Sequence, residues 1–416
     1  MRHRGDRRIE TRSGVLRRYH IRTGVARAFL LAAVAALGLV APANAQLQGG
    51  SQRLGEPAVN GDDVEAMVRV LELDEEQREV LTEMHQNYVA EFTTEWDRFQ
   101  ELRGELMDEI RSGRNPDAFV AMLEKTSEFR RYRDRSRDSF FDDVKTLLLG
   151  DEQSERFPRY ERTWRRMHLS DVDTGALSGG AVDLIELVER RDVPAETQED
   201  LAAVLDRYER EFDEIVKSRM ELAEDFSTRQ IELFEKDPNP MSHMDAYGEM
   251  LDDVRELVVE SRELTERYQR LVAAVLPEDE RAAFEREFKR AYVPKVYGPS
   301  SATEAFDTAA EMGSLSDEQR EGLEELRARY EREAGALNDD WAEALLSFEA
   351  ERMTVMDAFG PGGPSDETLR EFATKRRDLD TAYIVRLRDE VLTEEQREAI
   401  PDPAMRSRWR DVEFGG

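Results

Sequence analysis

The sequence predicts an all-α protein: three tandem helical-hairpin units of long amphipathic antiparallel helices, with short capped helices at their ends. Three observations predict it. Glycine and proline gather at 49–61, 112–116, 174–180, 237–240, 294–301 and 360–364 and are sparse elsewhere in the chain beyond residue 45. The intervening stretches are rich in Glu, Arg, Leu and Ala, with apolar residues at three- and four-residue steps and no alternation of period two, which is the pattern of amphipathic helices. A short string also recurs: LDEEQ at 73–77, LSDEQ at 315–319 and LTEEQ at 392–396.

The N-terminus stands apart from the rest. Residues 1–27 hold nine Arg against two acids, and 28–40 form an unbroken run of apolar or small residues leading to Ala43-Asn44-Ala45. A basic region, a short apolar core and a small-x-small site predict a secretory signal peptide cleaved after Ala45, too short and wrongly flanked to span a membrane. The pairs Arg7-Arg8 and Arg17-Arg18 leave both general secretion and twin-arginine export open. The chain has no cysteine, which excludes disulfides, thiolate metal sites, cysteine nucleophiles and a lipid anchor on cysteine. Loss of a leader with seven more bases than acids takes the net charge from −32 to −39. Such a polyanion makes nucleic acid an implausible partner. No later segment is apolar for long enough to cross a bilayer, so the expected mature product is periplasmic or secreted, without stable membrane insertion.

A flexible linker is expected at 46–61, then helical units at 62–168, 182–294 and 305–411, with linkers at 169–181 and 295–304 and a tail at 412–416. The first long helix places Leu81, Met84, Tyr88, Phe92, Trp96, Phe99, Leu102, Leu106 and Ile110 on one face; the second, Leu201, Val204, Tyr208, Phe212, Ile215, Leu222 and Phe226; the third, Leu323, Leu326, Tyr330, Leu337, Trp341, Leu345 and Phe348. With Leu73, Val193 and Leu315 set as equivalent, apolar residues follow at eight, eleven and fifteen positions in all three, and Phe92, Phe212 and Ala334 correspond further along. The starts are 120 and 122 residues apart, the signature of an internal repeat. Val64, Leu184 and Phe306 each open a short helical stretch nine residues earlier. A second mark closes each unit, at 149–153, 276–280 and 392–396, with Phe157, Phe284 or Ile400 eight residues past its leucine. Each unit should therefore run as a short helix, a long helix of about 35–40 residues spanning ~55 Å at 1.5 Å per residue, a turn, a returning long helix and a short capped helix. One hairpin, such as 81–110 against 119–147, has little core alone, so neighbours must share burial.

The recurring string has a local meaning. In Thr393-Glu394-Glu395-Gln396 the Thr hydroxyl accepts from the amide three residues on, while the Gln side chain reaches back to the Thr amide: a capping box that satisfies two helix-start donors. The acids between them face the positive end of the helix dipole. Ser316 with Gln319 repeats the arrangement, and Asp74 with Gln77 is a close variant. The leucines Leu73, Leu315 and Leu392 precede the caps. Within units the two marks lie 76, 83 and 77 residues apart, and this pairing is not explained by capping alone.

Paired L-T-x-x-Q strings, one opening a long helix and one opening a short terminal helix, resemble the LTXXQ-motif family of bacterial periplasmic proteins (Spy/CpxP-like). LTEEQREAI, LSDEQREGL and LDEEQREVL carry the likeness. It covers most of 62–411 as three degenerate units; the middle one has Pro194 and Thr197 at its first mark and Pro277 and Glu280 at its second. The resemblance implies a helical, often dimeric cradle and an ATP-independent chaperone or envelope-stress role. Chaperones of that family carry a basic concave surface, whereas this chain is acidic, and three units in one chain differ from one unit per subunit.

The remaining chemistry is sparse. His85, His168 and His243 follow the leader, and no two stand at ligand spacing, so they are read as solvated or satisfied and not as a zinc site. Asp171-Val172-Asp173-Thr174-Gly175 falls short of a calcium loop, its glycine one place early and Val182 at the twelfth position. No G-x-S-x-G, P-loop or H-E-x-x-H string occurs. No catalytic residue, cofactor or metal is therefore expected, and the protein is read as no enzyme. The aromatic strip Tyr88, Phe92, Trp96, Tyr208, Phe212, Tyr330 and Trp341 is expected to be core or to face a client. Function is expected to lie in binding unfolded or envelope proteins, with self-association possible in a family whose members dimerise. The alternatives are a regulatory or structural module for one envelope partner, and a weak metal-binding protein.

Overall fold

The computed structural model describes residues 54–400 except 114, 116, 170–176, 192 and 360–364. The expected signal peptide at 1–45 with Ala45, the first part of the expected 46–61 linker, the calcium-like string 171–175 and the expected tail lie outside the described residues. Those described form thirteen α-helices and no strand: the protein is all-α. We number them α1 Gly61–Leu71, α2 Glu75–Ser112, α3 Ala118–Leu147, α4 Gly150–Met167, α5 Leu184–Glu189, α6 Ala195–Lys236, α7 Met244–Val275, α8 Glu278–Tyr292, α9 Pro294–Tyr297, α10 Ser301–Ala310, α11 Asp317–Glu351, α12 Val355–Phe359 and α13 Glu367–Arg386. Two compact units divide them. The first takes the described residues of Met1–Trp164, Glu221–Gly248 and Phe359–Pro361, the second those of Arg165–Met220, Glu249–Ala358 and Gly362–Gly416.

In the first unit, Asn60 caps α1 through a box with Asp63, and Glu72 ends that helix in the left-handed region at φ 51°. Asp74 caps α2 two residues later, so Leu73 alone stands between the end of α1 and the N-cap of α2. The 38 residues of α2 end at Gly113, whose φ of 62° suits a residue without Cβ. The returning α3 packs along α2, and Leu54, Phe92, Phe99 and Phe129 form a core with Trp96 and Tyr132 against them. Phe99 and Phe129 stack with ring centroids 4.7 Å apart. Phe141 meets Phe157, Tyr160 and Trp164 of α4 edge to face. Farther along α3, Phe119 packs on Phe234, near the end of α6.

The second unit packs α5 on α8 and α10 between α11 and α13. Its best-defined core contains Phe306, Leu326, Tyr330, Tyr383, Leu387 and Ile400. Here α13 is 20 residues long and passes into a π turn at Leu387–Val391, and the last mark opens a single 3₁₀ turn, Gln396–Ala399, where a capped α-helix was expected.

Local packing recurs at the positions that the sequence sets as equivalent. Leu81, Leu201 and Leu323 are all buried. Tyr88 meets Phe140 at 5.1 Å, Tyr208 meets Tyr268 at 5.4 Å, and Tyr330 meets Tyr383 at 5.2 Å between ring centroids. Val144 and Val272 on the returning helices, and Leu387 at the start of the π turn, are completely buried. Two one-residue irregularities interrupt the correspondence, and each has a cause. The π turn inserts one residue between Tyr383 and Leu392. In the first unit the extended residue after the returning helix is Leu148, so Leu149, 68 % exposed, is the insertion, and Gly150 takes φ 84° to accommodate it. Leu276 and Leu392 at the later marks are buried.

Candidate functional site

The residues singled out by the recurring string do two jobs at once. Asp74 Oδ1 accepts from the Gln77 amide at 2.9 Å, and Gln77 Oε1 accepts from the Asp74 amide at 3.0 Å. Ser316 and Gln319 close the same box at 3.2 and 3.0 Å, and Thr393 and Gln396 at 3.4 and 2.9 Å. In each box the backbone uses the carboxamide oxygen, which leaves the carboxamide nitrogen with two protons to place.

Those nitrogens join the two marks of a pair. Gln77 Nε2 donates to Gln153 Oε1 at 2.9 Å and Gln153 Nε2 returns a bond to Gln77 Oε1 at 3.0 Å. The second proton of Gln77 goes to the carbonyl of Leu147, the last residue of α3, at 2.9 Å, and that of Gln153 to Glu72 O at 3.2 Å. Gln319 and Gln396 repeat the contact at 2.8 and 3.4 Å. Gln319 donates to the carbonyl of Val391, the last residue of the π turn, at 2.7 Å, and Gln396 to Ser314 O at 3.1 Å. Each clasp ties the start of a long helix, the end of the returning helix and the start of the terminal one, using only neutral groups. The sequence marks Gln77, Gln319 and Gln396 as caps; Gln153 was visible only as the fifth residue of the second mark, and no capping rule pairs it with Gln77.

The middle segment solves the same problem with charge. Thr197 and Glu280 replace the two glutamines. Gln198 turns back to Val193 O at 2.9 Å. Arg191, its side chain 5 % exposed, donates to Glu280 Oε2 at 3.2 Å, lies 2.8 Å from Glu287 and covers the Phe284 ring at 5.6 Å.

The aromatic strip divides by depth. Tyr88, Phe92, Tyr208, Phe212 and Tyr330 are buried and therefore core; Trp96 and Trp341 are half-buried. The three tyrosine hydroxyls reach equivalent places, at or next to the N-cap of the short preceding helix. Tyr88 OH accepts from Val59 N at 3.3 Å, Tyr208 OH donates to Val182 O at 3.1 Å, and Tyr330 OH meets Ser300 Oγ at 2.7 Å. Burial pushes the Tyr88 and Tyr208 hydroxyls upward, Tyr208 strongly. For Tyr330 burial is again the main cause, aided by the Asp380 carboxylate that accepts its hydrogen bond at 2.7 Å, and the pKa rises to about 12.

Nothing in these contacts resembles an activated nucleophile or an acid–base pair. Among the described residues no group of three or more His, Asp or Glu could hold a metal ion. His85 Nε2 lies 3.0 Å from Val59 O and His243 Nε2 lies 2.7 Å from Asp237 O, so both rings have backbone partners. No described helix is long and apolar enough to cross a membrane. Compared with known families, curated proteins and solved structures, the chain matches none.

Proposed function

We propose that the protein is a non-catalytic binder of unfolded envelope proteins, acting without ATP as a chaperone-like or envelope-stress component after export and removal of residues 1–45. One observation carries the reading: the glutamines of paired L-x-x-x-Q marks clasp each other twice, at Gln77 with Gln153 and at Gln319 with Gln396. That pairing gives the family likeness of the motif a physical content, because both marks of a pair are needed to close one contact. Burial of Tyr88, Phe92, Tyr208, Phe212 and Tyr330 removes them as client contacts. The client-facing candidates become the half-buried apolar residues of the α2–α3 hairpin, including Trp96, Leu102, Leu106 and Ile110. The large acidic excess would keep a loaded complex soluble by repulsion.

The test is light scattering from a reduced or heat-denatured client. Suppression at stoichiometric protein without ATP supports the reading, and undiminished aggregation across a range of salt contradicts it. A second reading is a regulatory or structural module for a single envelope partner, and one feature speaks for it over a general client binder: among the described residues the most exposed large apolar ones, Leu149, Met241 and Met356, stand singly along the chain. That reading predicts no suppression together with capture of one stoichiometric partner. Titration calorimetry with Zn²⁺ and Ca²⁺ examines weak metal binding, and micromolar heats would favour it. N-terminal sequencing of the exported product should begin at Gln46.

A further inference from the structure

Residues 177–180 and Val182, mostly within a segment that composition marks as a linker, lie in the interior of the second unit, with Ala181 between them exposed: Leu177 and Val182 are each 3 % exposed. They are not helical, so their backbone polar groups need partners from elsewhere, and side chains of three helices supply them. Glu349 of α11, 1 % exposed, accepts from the Ser178 amide at 2.8 Å and from its hydroxyl at 2.9 Å. Arg262 of α7 donates to the Ser178 carbonyl at 2.7 Å and pairs with the same Glu349 carboxylate. Arg219 of α6 donates to the Gly180 carbonyl, and Ser261 Oγ reaches it at 3.4 Å. Two walls restrict the sequence. Gly179 has φ 73°, and a Cβ there would stand 2.6 Å from the Tyr292 ring; a Cβ on Gly180 would stand 3.3 Å from Val258.

A buried Arg–Glu pair stabilises a core no better than well-packed apolar side chains would, because desolvation offsets its Coulomb energy. Here the pair is directed at one segment: it meets the amide, hydroxyl and carbonyl of Ser178, Arg219 and Ser261 meet the carbonyl of Gly180, and Gly179 between them has no room for a Cβ. We infer that the second unit contains a peptide-recognition groove for a chain of the type apolar-Ser-Gly-Gly folded into a turn, filled here by the protein's own residues 177–180 as a tethered ligand. The occupant it would accept in trans is a segment of another polypeptide with that sequence. This inference stands independently of the chaperone reading.

The experiment uses the full chain with Gly179→Ala, which forces a Cβ against Tyr292, and with Ser178→Asp, which sets a second carboxylate against Glu349. The probe is a fluorescently labelled peptide Leu-Ser-Gly-Gly-Ala-Val, blocked at its C-terminus and followed by polarisation. Expected is saturable binding to either folded variant, at least about tenfold tighter than to the wild-type chain, whose tethered copy competes at an effective concentration of order millimolar. Glu349→Gln added to the binding variant should abolish it. Equal binding with and without Glu349→Gln, or no binding by a variant whose helical circular dichroism matches wild type, overturns the inference. Loss of folding in both variants overturns it too, since 177–180 would then be an indispensable part of the core and not a replaceable ligand.

Discussion

Gln77 and Gln153, 76 residues apart in the chain, exchange hydrogen bonds through their side-chain amides, 2.9 Å one way and 3.0 Å the other. Each oxygen also caps a helix start, so neither glutamine has a polar atom left over. Gln319 and Gln396 do the same. A carboxamide presents a donor and an acceptor side by side, and two of them facing each other satisfy both without any charge to desolvate. No other uncharged side chain except asparagine, one methylene shorter, has that property.

Deleting one member should therefore strand the other. Gln77→Ala is expected to cost about 1–2 kcal/mol by urea denaturation, since Gln77 is 4 % exposed and its loss takes bonds from the half-buried Leu147 carbonyl and Gln153 carboxamide. In a double-mutant cycle with Gln153→Ala the coupling should reach about 1 kcal/mol. Gln77→Glu tests the donor role. At neutral pH it sets an acceptor-only carboxylate against Gln153 Oε1 and Leu147 O. The folded state then favours the protonated acid, so the variant should regain stability as pH falls. Additive single costs would rule out the clasp as a cooperative contact.

The middle segment should answer to salt instead. Arg191 faces Glu280, 30 % exposed, and Glu287, 47 % exposed, so the pair lies where counterions reach. Arg191→Ala is expected to cost about 1–2 kcal/mol in dilute buffer and roughly half of that in 1 M NaCl. The cost of Gln77→Ala should not move with salt. Equal salt responses would show that Arg191 acts through packing on Phe284 and not through charge.

How far the sequence foretold this can be judged at particular residues. Helix starts at Asp74 and Ser316 were legible because capping is local: both partners lie within four residues. Burial of Tyr88, Tyr208 and Tyr330 was legible from helical periodicity. The amide-to-amide pairing was not, since capping accounts for the glutamine oxygen and says nothing of where the nitrogen points. Nor was the π turn at Leu387–Val391, which shifts Tyr383 by one residue relative to Tyr268 without any glycine or proline to announce it. Ser178-Gly179-Gly180 reads as linker by composition. It is buried because Arg262, Arg219 and Glu349, from distant parts of the chain, satisfy its backbone, and partners 39, 84 and 171 positions away leave no local mark.

The recurring ring pairs give a comparative prediction. Phe140, Tyr268 and Tyr383 occupy matching places beside Tyr88, Tyr208 and Tyr330. Replacing each in turn by Ala should cost about 3–5 kcal/mol, the range for emptying a buried aromatic site. Chemical denaturation followed by circular dichroism measures it. If one of the three were tolerated with a loss under about 1 kcal/mol, the three sites would not be structurally equivalent.

Alkaline pH provides the last test, and its sign follows from burial. Tyr330 titrates near 12 in the folded chain against 10.0 unperturbed, and Tyr88, Tyr208, Tyr268 and Tyr383 are raised as well, burial being the main cause each time. Below pH 10 both folded and unfolded chains keep these protons, and the contribution to stability is whole. Above pH 10 the unfolded chain releases them first, so stability falls as pH rises through the folded values. Each such group adds up to about 1.4 kcal/mol per pH unit to that slope. Tyrosinate absorbance at 295 nm should accordingly lag in the folded protein and then rise together with loss of helical signal. Tyr330→Phe removes one proton from the balance and should flatten stability against pH between about 10 and 12 by one group's worth. An unchanged slope would mean that the hydroxyl, held by Ser300 and Asp380 and accepting from the Arg376 guanidinium, ionises as freely in the folded chain as in the unfolded one.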